Sequence, residues 1–352
     1  MVHRKLAAQS LCVALVVAFS VVQPIPAAVA VSPLGLAAIQ RHSRLVTRSR
    51  SHRGCNYLKG SWVDTSTIPG YSPPYSASCS QFSCDGAADG RKNPASFVWQ
   101  PFPPCSYQLW RMQPRVLLER YRNSVIAFVG DSLNDNLVDS FKCTLAAVTP
   151  FQHMRLRVGG RRYRKAVVLP AYNLTLVTIA SGKLTRLVNT SSARVRVDGQ
   201  WAALLPRTAA MVFTAGHWFF HQNFMSPVLK LRKSLKAVRD YIECTNYPGV
   251  PLFVSFSPAH DRTQCKAAGT PLNNITTAIQ VGDIRAMESL KEQRKLLARS
   301  RMRLVEITYM SMLRPDGHLN RGMSGRRKDC SHWCLPGVPD AWSDVIYSML
   351  VA

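Results

Sequence analysis

The sequence predicts an α/β fold, a central parallel sheet with helices on both faces. Three observations point to it. From about residue 116, short apolar runs alternate with longer stretches of helical spacing. The apolar runs are nearly continuous, as expected of strands covered on both faces. At 47% hydrophobic over 352 residues, the chain also has the material for a large core.

Taken in order, residues 1–40 read as a membrane-targeting segment. Arg4 and Lys5 precede a stretch, Leu6 to Gln40, without a charged residue, most apolar from Leu11 to Val22. Ala28-Val29-Ala30 has the small-x-small form of a cleavage site, so a retained signal anchor and a signal peptide cleaved near Ala30 both stay open. Residues 41–54 form a basic stem, with Arg41, Arg44, Arg48, Arg50 and Arg53 among Ser and Thr, and read as a disordered tether. Residues 55–115 are rich in Cys, Pro, Gly, Ser and aromatics, with little periodicity. Such a segment buries little by itself and is expected to be pinned by disulfides onto the domain C-terminal to it.

Residues 116–352 carry the alternating pattern. Val125–Val129, Leu174–Ile179, Ala209–Phe213, Pro251–Phe256 and Met302–Ile307 are predicted strands. Residues 134–147, Pro227–Cys244, Ile279–Ser300 and Asp340–Val351 are predicted helices. Sheets of this kind place their sites at the carboxyl ends of the strands.

Lys plus Arg number 45 against 19 Asp plus Glu, a net charge of +26. That balance favours an acidic partner, or is simply a solvated basic surface. No zinc-finger spacing or RNA-binding aromatic pattern is present, so nucleic acid is not the expected partner. Cys330-x-x-x-Cys334 with His332 between them has the look of half a metal site, but no second pair complements it, and no metal is expected. Behind a secretory leader, the ten cysteines read as a disulfide framework.

Two motifs carry chemistry. At Phe128-Val129-Gly130-Asp131-Ser132-Leu133 an apolar run ends in Gly-Asp-Ser and a helical stretch begins. A serine at such a turn stands at the top of the sheet, where backbone N–H groups can stabilise an oxyanion; it can equally be a helix N-cap. Far downstream, Asp329-Cys330-Ser331-His332-Trp333-Cys334-Leu335-Pro336-Gly337 puts an acid and an imidazole one helical turn apart. Together they offer Ser132 as nucleophile, His332 as general base and Asp329 as its orienting acid. Asp131 is expected to hydrogen-bond backbone beside the turn.

These motifs, with Val338-Pro339-Asp340-x-Trp342 beyond the second, resemble the plant trichome-birefringence-like proteins. That family is similar to GDSL/SGNH esterases and includes polysaccharide O-acetyltransferases. Cys55–Val63, Phe97–Pro101 and Cys105 resemble its N-terminal domain. The resemblance implies an SGNH-hydrolase-like three-layer α/β/α catalytic domain over 116–352 and a type II Golgi anchor. It also implies disulfides Cys55–Cys105, Cys79–Cys143, Cys84–Cys330 and Cys265–Cys334, with Cys244 left free.

By the same resemblance Asn173 is an oxyanion donor, although Asn173-Leu174-Thr175 is also a glycosylation sequon and the two roles exclude each other. Asn189 and Asn274 head ordinary sequons. Gly130, His217 and Trp218 are further candidates around the oxyanion and the substrate, and His217 reads equally well as a core histidine. Two positions depart from the family pattern. Asp135 stands where many relatives have arginine and is expected to turn outward as a helix cap; Thr214 stands in place of an asparagine.

The expected activity is transfer of acetyl groups to hydroxyls of a cell-wall polysaccharide, xylan or similar and possibly acidic. It would proceed by Ser-His-Asp double displacement, with an acetyl donor and no bound cofactor. An acetylesterase with the same triad, or a non-catalytic glycan-binding protein, are the alternatives.

Overall fold

The computed structural model describes residues 56–84, 92–103, 111–157, 163–189, 194–219, 226–261, 263, 265, 269–281, 284–319 and 329–352. The leader, the stem and the expected Cys55–Cys105 pair lie outside these residues.

The chain opens with an antiparallel pair, β1 (Gly60–Asp64) and β2 (Phe97–Pro101), with Trp62 opposite Trp99. There follow α1 (Pro114–Arg120), β3 (Val125–Gly130), α2 (Ser132–Ala146), β4 (Gln152–Arg157), β5 (Tyr163–Leu169), β6 (Leu174–Ala180), β7 (Thr185–Asn189), β8 (Arg194–Val197) and the short α3 (Gly199–Ala202). The remainder is β9 (Ala210–Thr214), α4 (Pro227–Cys244), β10 (Val250–Val254), α5 (Ile275–Val281), α6 (Ile284–Leu297), β11 (Arg303–Val305), α7 (Thr308–Met312) and α8 (Val338–Val351). The predicted helix over Ile279–Ser300 coincides with the end of α5 and with α6.

The main sheet runs β11-β10-β9-β3-β6-β5-β4. Its first five strands are parallel. β5 and β4 are antiparallel additions at one edge, so the expected all-parallel sheet is corrected to a mixed one. The cause is connection length: only four residues join β5 to β6, and a parallel partner needs a long crossover. In Gln152-His153-Met154-Arg155-Leu156-Arg157 polar and basic residues interrupt any apolar run, and charge of this kind protects an exposed sheet edge.

β3 is buried along its whole length. Ile126 and Phe128 join a core with α1, α2 and α8, while Ala127 and Val129 join a second core with α3 and α4. Successive strand side chains point to opposite faces, so one strand feeds both layers. Each fully buried Leu or Phe contributes about 1.5–3 kcal/mol, and the three-layer packing rests on dozens of such contacts rather than on any cap or ion pair.

The N-terminal segment is stapled onto this body. Cys79 is joined to Cys143 on α2, as the resemblance implies. The other two partners are exchanged: the pairs are Cys84–Cys334 and Cys265–Cys330, not Cys84–Cys330 and Cys265–Cys334. Backbone bonds explain the exchange. Leu335 N–H donates to Phe82 O at 2.9 Å, which sets Cys334 beside Cys84. His260 N–H donates to Cys330 O at 3.1 Å, which sets Cys330 beside the segment leading to Cys265. Cys244 is disulfide-bonded, so the expectation that it stays free is overturned.

A buried ion pair ties β1 and β2 to the rest. Arg314 and Asp316 are both fully buried, and Arg314 Nη2 donates to Asp316 at 2.9 Å and to Pro94 O at 3.0 Å. The guanidinium lies over the Trp62 and Phe97 rings, 4.5 and 5.3 Å from their centroids.

Asp344 on α8 yields a testable consequence. Its Oδ1 accepts a 2.6 Å bond from Met112 N–H. Burial pushes its carboxyl up to about 7, with Arg111 and the Met112 N–H pulling the other way. An acid raised on folding favours a native state that keeps its proton. Its contribution to stability is therefore full below the unfolded value, about 4, and is lost as pH rises toward 7. Asp344→Asn keeps the acceptor and removes the titration. It is expected to raise stability near pH 7, by up to about 4 kcal/mol, and to have little effect near pH 4; urea midpoints at the two pH values measure this.

Candidate active site

Ser132 is the first residue of α2, exposed at the carboxyl end of the central strand β3. Asp131 caps the helix: its side chain accepts from Leu133 N–H at 3.1 Å, the backbone role expected of it. Burial raises the Asp131 carboxyl, against the opposing pull of His217, the Leu133 N–H, His332 and the Gly216 N–H. Gly130 is required by close packing. A Cβ there would lie 1.9 Å from Thr214 Oγ1 and 2.4 Å from Thr214 O on the neighbouring β9.

The second motif is a tight loop organised by Asp329. Its Oδ1 accepts from the N–H groups of Ser331 and His332 at 2.8 and 3.0 Å, and its Oδ2 stands 2.6 Å from His332 Nδ1. Burial works to raise the Asp329 carboxyl, but these bonds and the nearby imidazole outweigh it and hold the group well below the usual carboxylate range. With Nδ1–H donated to a carboxylate, the neutral ring presents its lone pair at Nε2. Among the described residues, the buried His332 Nε2 has no hydrogen-bond partner. The ring lies parallel to Phe82, 6.4 Å between centroids, so the N-terminal segment forms part of its seat. Cys330 and Cys334 are both in disulfides and offer no thiolate to a metal.

Asn136, one turn beyond Ser132 on α2, brings the motifs together. Its Nδ2 donates to Trp333 O at 3.0 Å and its Oδ1 accepts from Trp333 N–H at 3.2 Å, across 197 residues of chain. Ser132 and His332 are thus on neighbouring elements, but Ser132 Oγ is not hydrogen-bonded to His332 Nε2. Hydrogen bonds of this kind are often long before substrate is bound.

A cleft of 560 Å³ opens beside Ser132, between α2, the end of β6 and the β7–β8 hairpin. Asn134, Asp135, Lys183, Arg186 and Trp218 contribute to its walls. Trp218 is half exposed and packs against Gly182, where a Cβ would meet its ring at 2.6 Å. Asp135 belongs to the cleft wall and not to a cap, which corrects the expectation; the capping oxygen is that of Asp131. Burial raises the Asp135 carboxyl, Lys165 and His332 pull it down, and Asp139 repels it. His217 Nε2 donates to Ser257 O at 2.9 Å and its ring packs on Phe256, close enough to Asp131 to act on that carboxyl.

Asn173 is not at the site. It precedes β6, with a left-handed φ of 48°, is exposed, and donates from Nδ2 to Asn123 Oδ1 at 3.1 Å. β6 runs parallel to β3, so Asn173 lies at the opposite end of the sheet from Ser132, roughly 20 Å away along a seven-residue strand. The oxyanion role is overturned, and the sequon reading no longer conflicts with a buried amide.

Asn134, Asn136 and Phe82 were not anticipated. Asn136 is fully buried, and Asn134 is buried with neither side-chain polar atom partnered among the described residues. Paired asparagines early in a helix otherwise full of core positions are the one signal that pointed to them. Thr214 Oγ1 is likewise buried and unpartnered, against Gly130.

Residues 109–349 match the PC-Esterase family, described as the GDSL/SGNH-like acyl-esterase family found in Pmr5 and Cas1p. Among similar proteins, Xyloglucan O-acetyltransferase 2 of Populus trichocarpa is 25% identical, over 84% of this chain and 82% of that one. Xyloglucan O-acetyltransferase 3 of the same species is 26% identical, over 87% and 88%. Protein trichome birefringence-like 9 of Arabidopsis thaliana is 29% identical, over 85% and 84%. The matched span holds both motifs, the sheet and the cleft, and the chain belongs to this acyl-esterase family and is an acyl-transferring enzyme.

Proposed function

We propose that this enzyme transfers acetyl groups to hydroxyls of a plant cell-wall polysaccharide, with Ser132, His332 and Asp329 as its catalytic triad. The observation that supports this reading most is the state of His332. Asp329 holds Nδ1–H, which leaves a buried, unpartnered Nε2 lone pair on the element that Asn136 fastens to the Ser132 helix.

In the first half-reaction Nε2 takes the Ser132 proton as Oγ attacks the acetyl carbonyl carbon. The oxyanion forms near the Ser132 N–H, one of the first helical amides, which lack intrahelical acceptors. The donor's leaving group departs with the proton from His332, and acetyl-Ser132 remains. In the second half a sugar hydroxyl gives its proton to Nε2 and attacks the acetyl-serine. Collapse returns the proton to Ser132 Oγ and releases the acetylated sugar. Water in place of the sugar would give hydrolysis, so the acceptor must compete with water in the cleft.

Trp218 offers the acceptor an aromatic face, and Lys183, Arg186 and Asp135 offer polar contacts. Xyloglucan is named for two relatives. The net charge of +26 fits a polymer that carries uronate groups as well as neutral sugars, while the cleft itself is mixed, with Lys183 and Arg186 beside Asp131, Asp135 and Asp198. The disulfides fit a catalytic part that works in an oxidising lumen. With residues 1–40 this fits a Golgi membrane protein, or a secreted one if cleavage occurs near Ala30. N-terminal sequencing of the mature protein separates these outcomes.

Ser132→Ala and His332→Ala should each lower acetyl transfer by about 10³-fold or more while near-ultraviolet dichroism stays unchanged. Activity within tenfold of the parent in either variant would remove the triad. Trp218→Ala should raise the acceptor KM by about tenfold with little change in the donor KM, which initial-rate kinetics on acetyl-free xylan or xyloglucan would measure. Net gain of acetyl on the glycan supports transfer, and acetate release from an acetylated glycan supports the esterase reading.

A further inference from the structure

Behind the His332 loop lie two histidines that the proposed acetyl transfer does not use. His260 and His318 are both buried. His260 Nε2 stands 3.0 Å from Met312 O, His260 Nδ1 stands 2.7 Å from His318 Nε2, and His318 Nδ1 stands 3.0 Å from His332 O. The chain of contacts ends on a carbonyl at each side.

Counting protons shows what this arrangement requires. Carbonyl oxygens only accept, so His260 Nε2 and His318 Nδ1 must both carry hydrogen. The central contact needs one more. Two neutral imidazoles hold two ring protons, one short of the three contacts. Without the third, two lone pairs would face each other at 2.7 Å, inside the core.

We propose that this pair holds one extra proton, that the resulting imidazolium is His318, and that it fixes the His332 carbonyl and so acts as a positioning residue for the His332 ring. The positioning role rests on the triad reading; the charge on the pair does not.

His318 is the member suited to the charge. Its ring stacks on Trp333 with 3.9 Å between centroids, a face that favours a cation. His260 stands perpendicular to the same indole with 6.0 Å between centroids, a weaker contact for a cation. Among the described residues, four segments surround the pair. The 314–318 turn brings Asp316, whose negative charge acts on His260, and Arg314, which is bonded to Asp316. The catalytic loop brings His332 through its backbone, with Asp329 beyond it. The segment after β10 brings His260 itself and Asp261 next to it, and α7 contributes only the Met312 carbonyl. His332 O also accepts from Leu319 N–H at 3.2 Å, so two donors from one turn hold the residue that carries the base. Loss of the extra proton leaves the central contact without a hydrogen, so two lone pairs face each other at 2.7 Å and push the His318 ring, with its Nδ1 donor, away from the His332 carbonyl.

The test uses the full chain labelled with ¹⁵N-histidine. Ring resonances that disappear in His318→Asn identify His318 in the parent. Both of its nitrogens should be protonated near neutral pH; one unprotonated nitrogen there would overturn the proposal, whatever the enzyme's activity. Kinetics test the positioning. His318→Phe keeps the ring on Trp333 without a donor, and kcat should fall about tenfold with KM within about twofold. His318→Asn keeps a neutral donor toward His332 O and should abolish any loss of kcat on the alkaline side of the parent profile. A His318→Phe enzyme with the parent's kcat and pH profile would refute the positioning role, even with the charge confirmed.

Discussion

The site depends on one interaction, the double hydrogen bond between the Asn136 side chain and the Trp333 backbone. Ser132 and Asn136 are a turn apart on α2, and Trp333 follows His332 directly. Fixing Asn136 to Trp333 therefore fixes the nucleophile's helix against the loop of the base. Both amide atoms of Asn136 are used and the residue is fully buried, so nothing else can satisfy it. Its energetic worth is about 1–3 kcal/mol, modest for stability. Its geometric worth is larger, because an error of about 1 Å between reacting groups can cost a hundredfold in rate.

The rest of the architecture holds that clamp in place. The Cys84–Cys334 and Cys265–Cys330 disulfides grip the loop on either side of His332. Cys79–Cys143, together with Ser80 and Gln81 donating to Asp139, fixes the N-terminal segment along α2. That segment in turn sets Phe82 under the His332 ring. Residues 79–84 are thus part of the active site's wall. The buried Arg314–Asp316 pair extends the same support to the turn that carries His318.

Much of this was legible in the chain. Strand β3, helix α8 and the two motifs announce themselves because apolar runs and motif spacing are local properties. Non-local facts were not legible. Asn136 looks like any polar residue on a helix until its partner is known. Cys330 and Cys334 are close in sequence, and only backbone contacts to Phe82 and His260 decide which cysteine each one meets. Asn173 was placed at the site by its distance along the chain, yet strand direction puts it at the far end of β6. Strand β4 and the β7–β8 hairpin are hard to read because strands at an edge or outside the main sheet need no continuous apolar run, and in β5 the apolar run Ala166–Leu169 is short and follows Arg164 and Lys165. That hairpin walls the cleft, so the acceptor's surroundings were the least readable part of the site.

The most direct measurement is peptide mass spectrometry after brief exposure of the protein to an acetyl donor, comparing the parent with Asn136→Ala. If the clamp aligns the two motifs, the parent should carry acetyl on Ser132, and Asn136→Ala should acquire it at least about a hundredfold more slowly while keeping its fold. Labelling of Asn136→Ala at the parent's rate, or acetyl on another residue in place of Ser132, would contradict this role for the clamp.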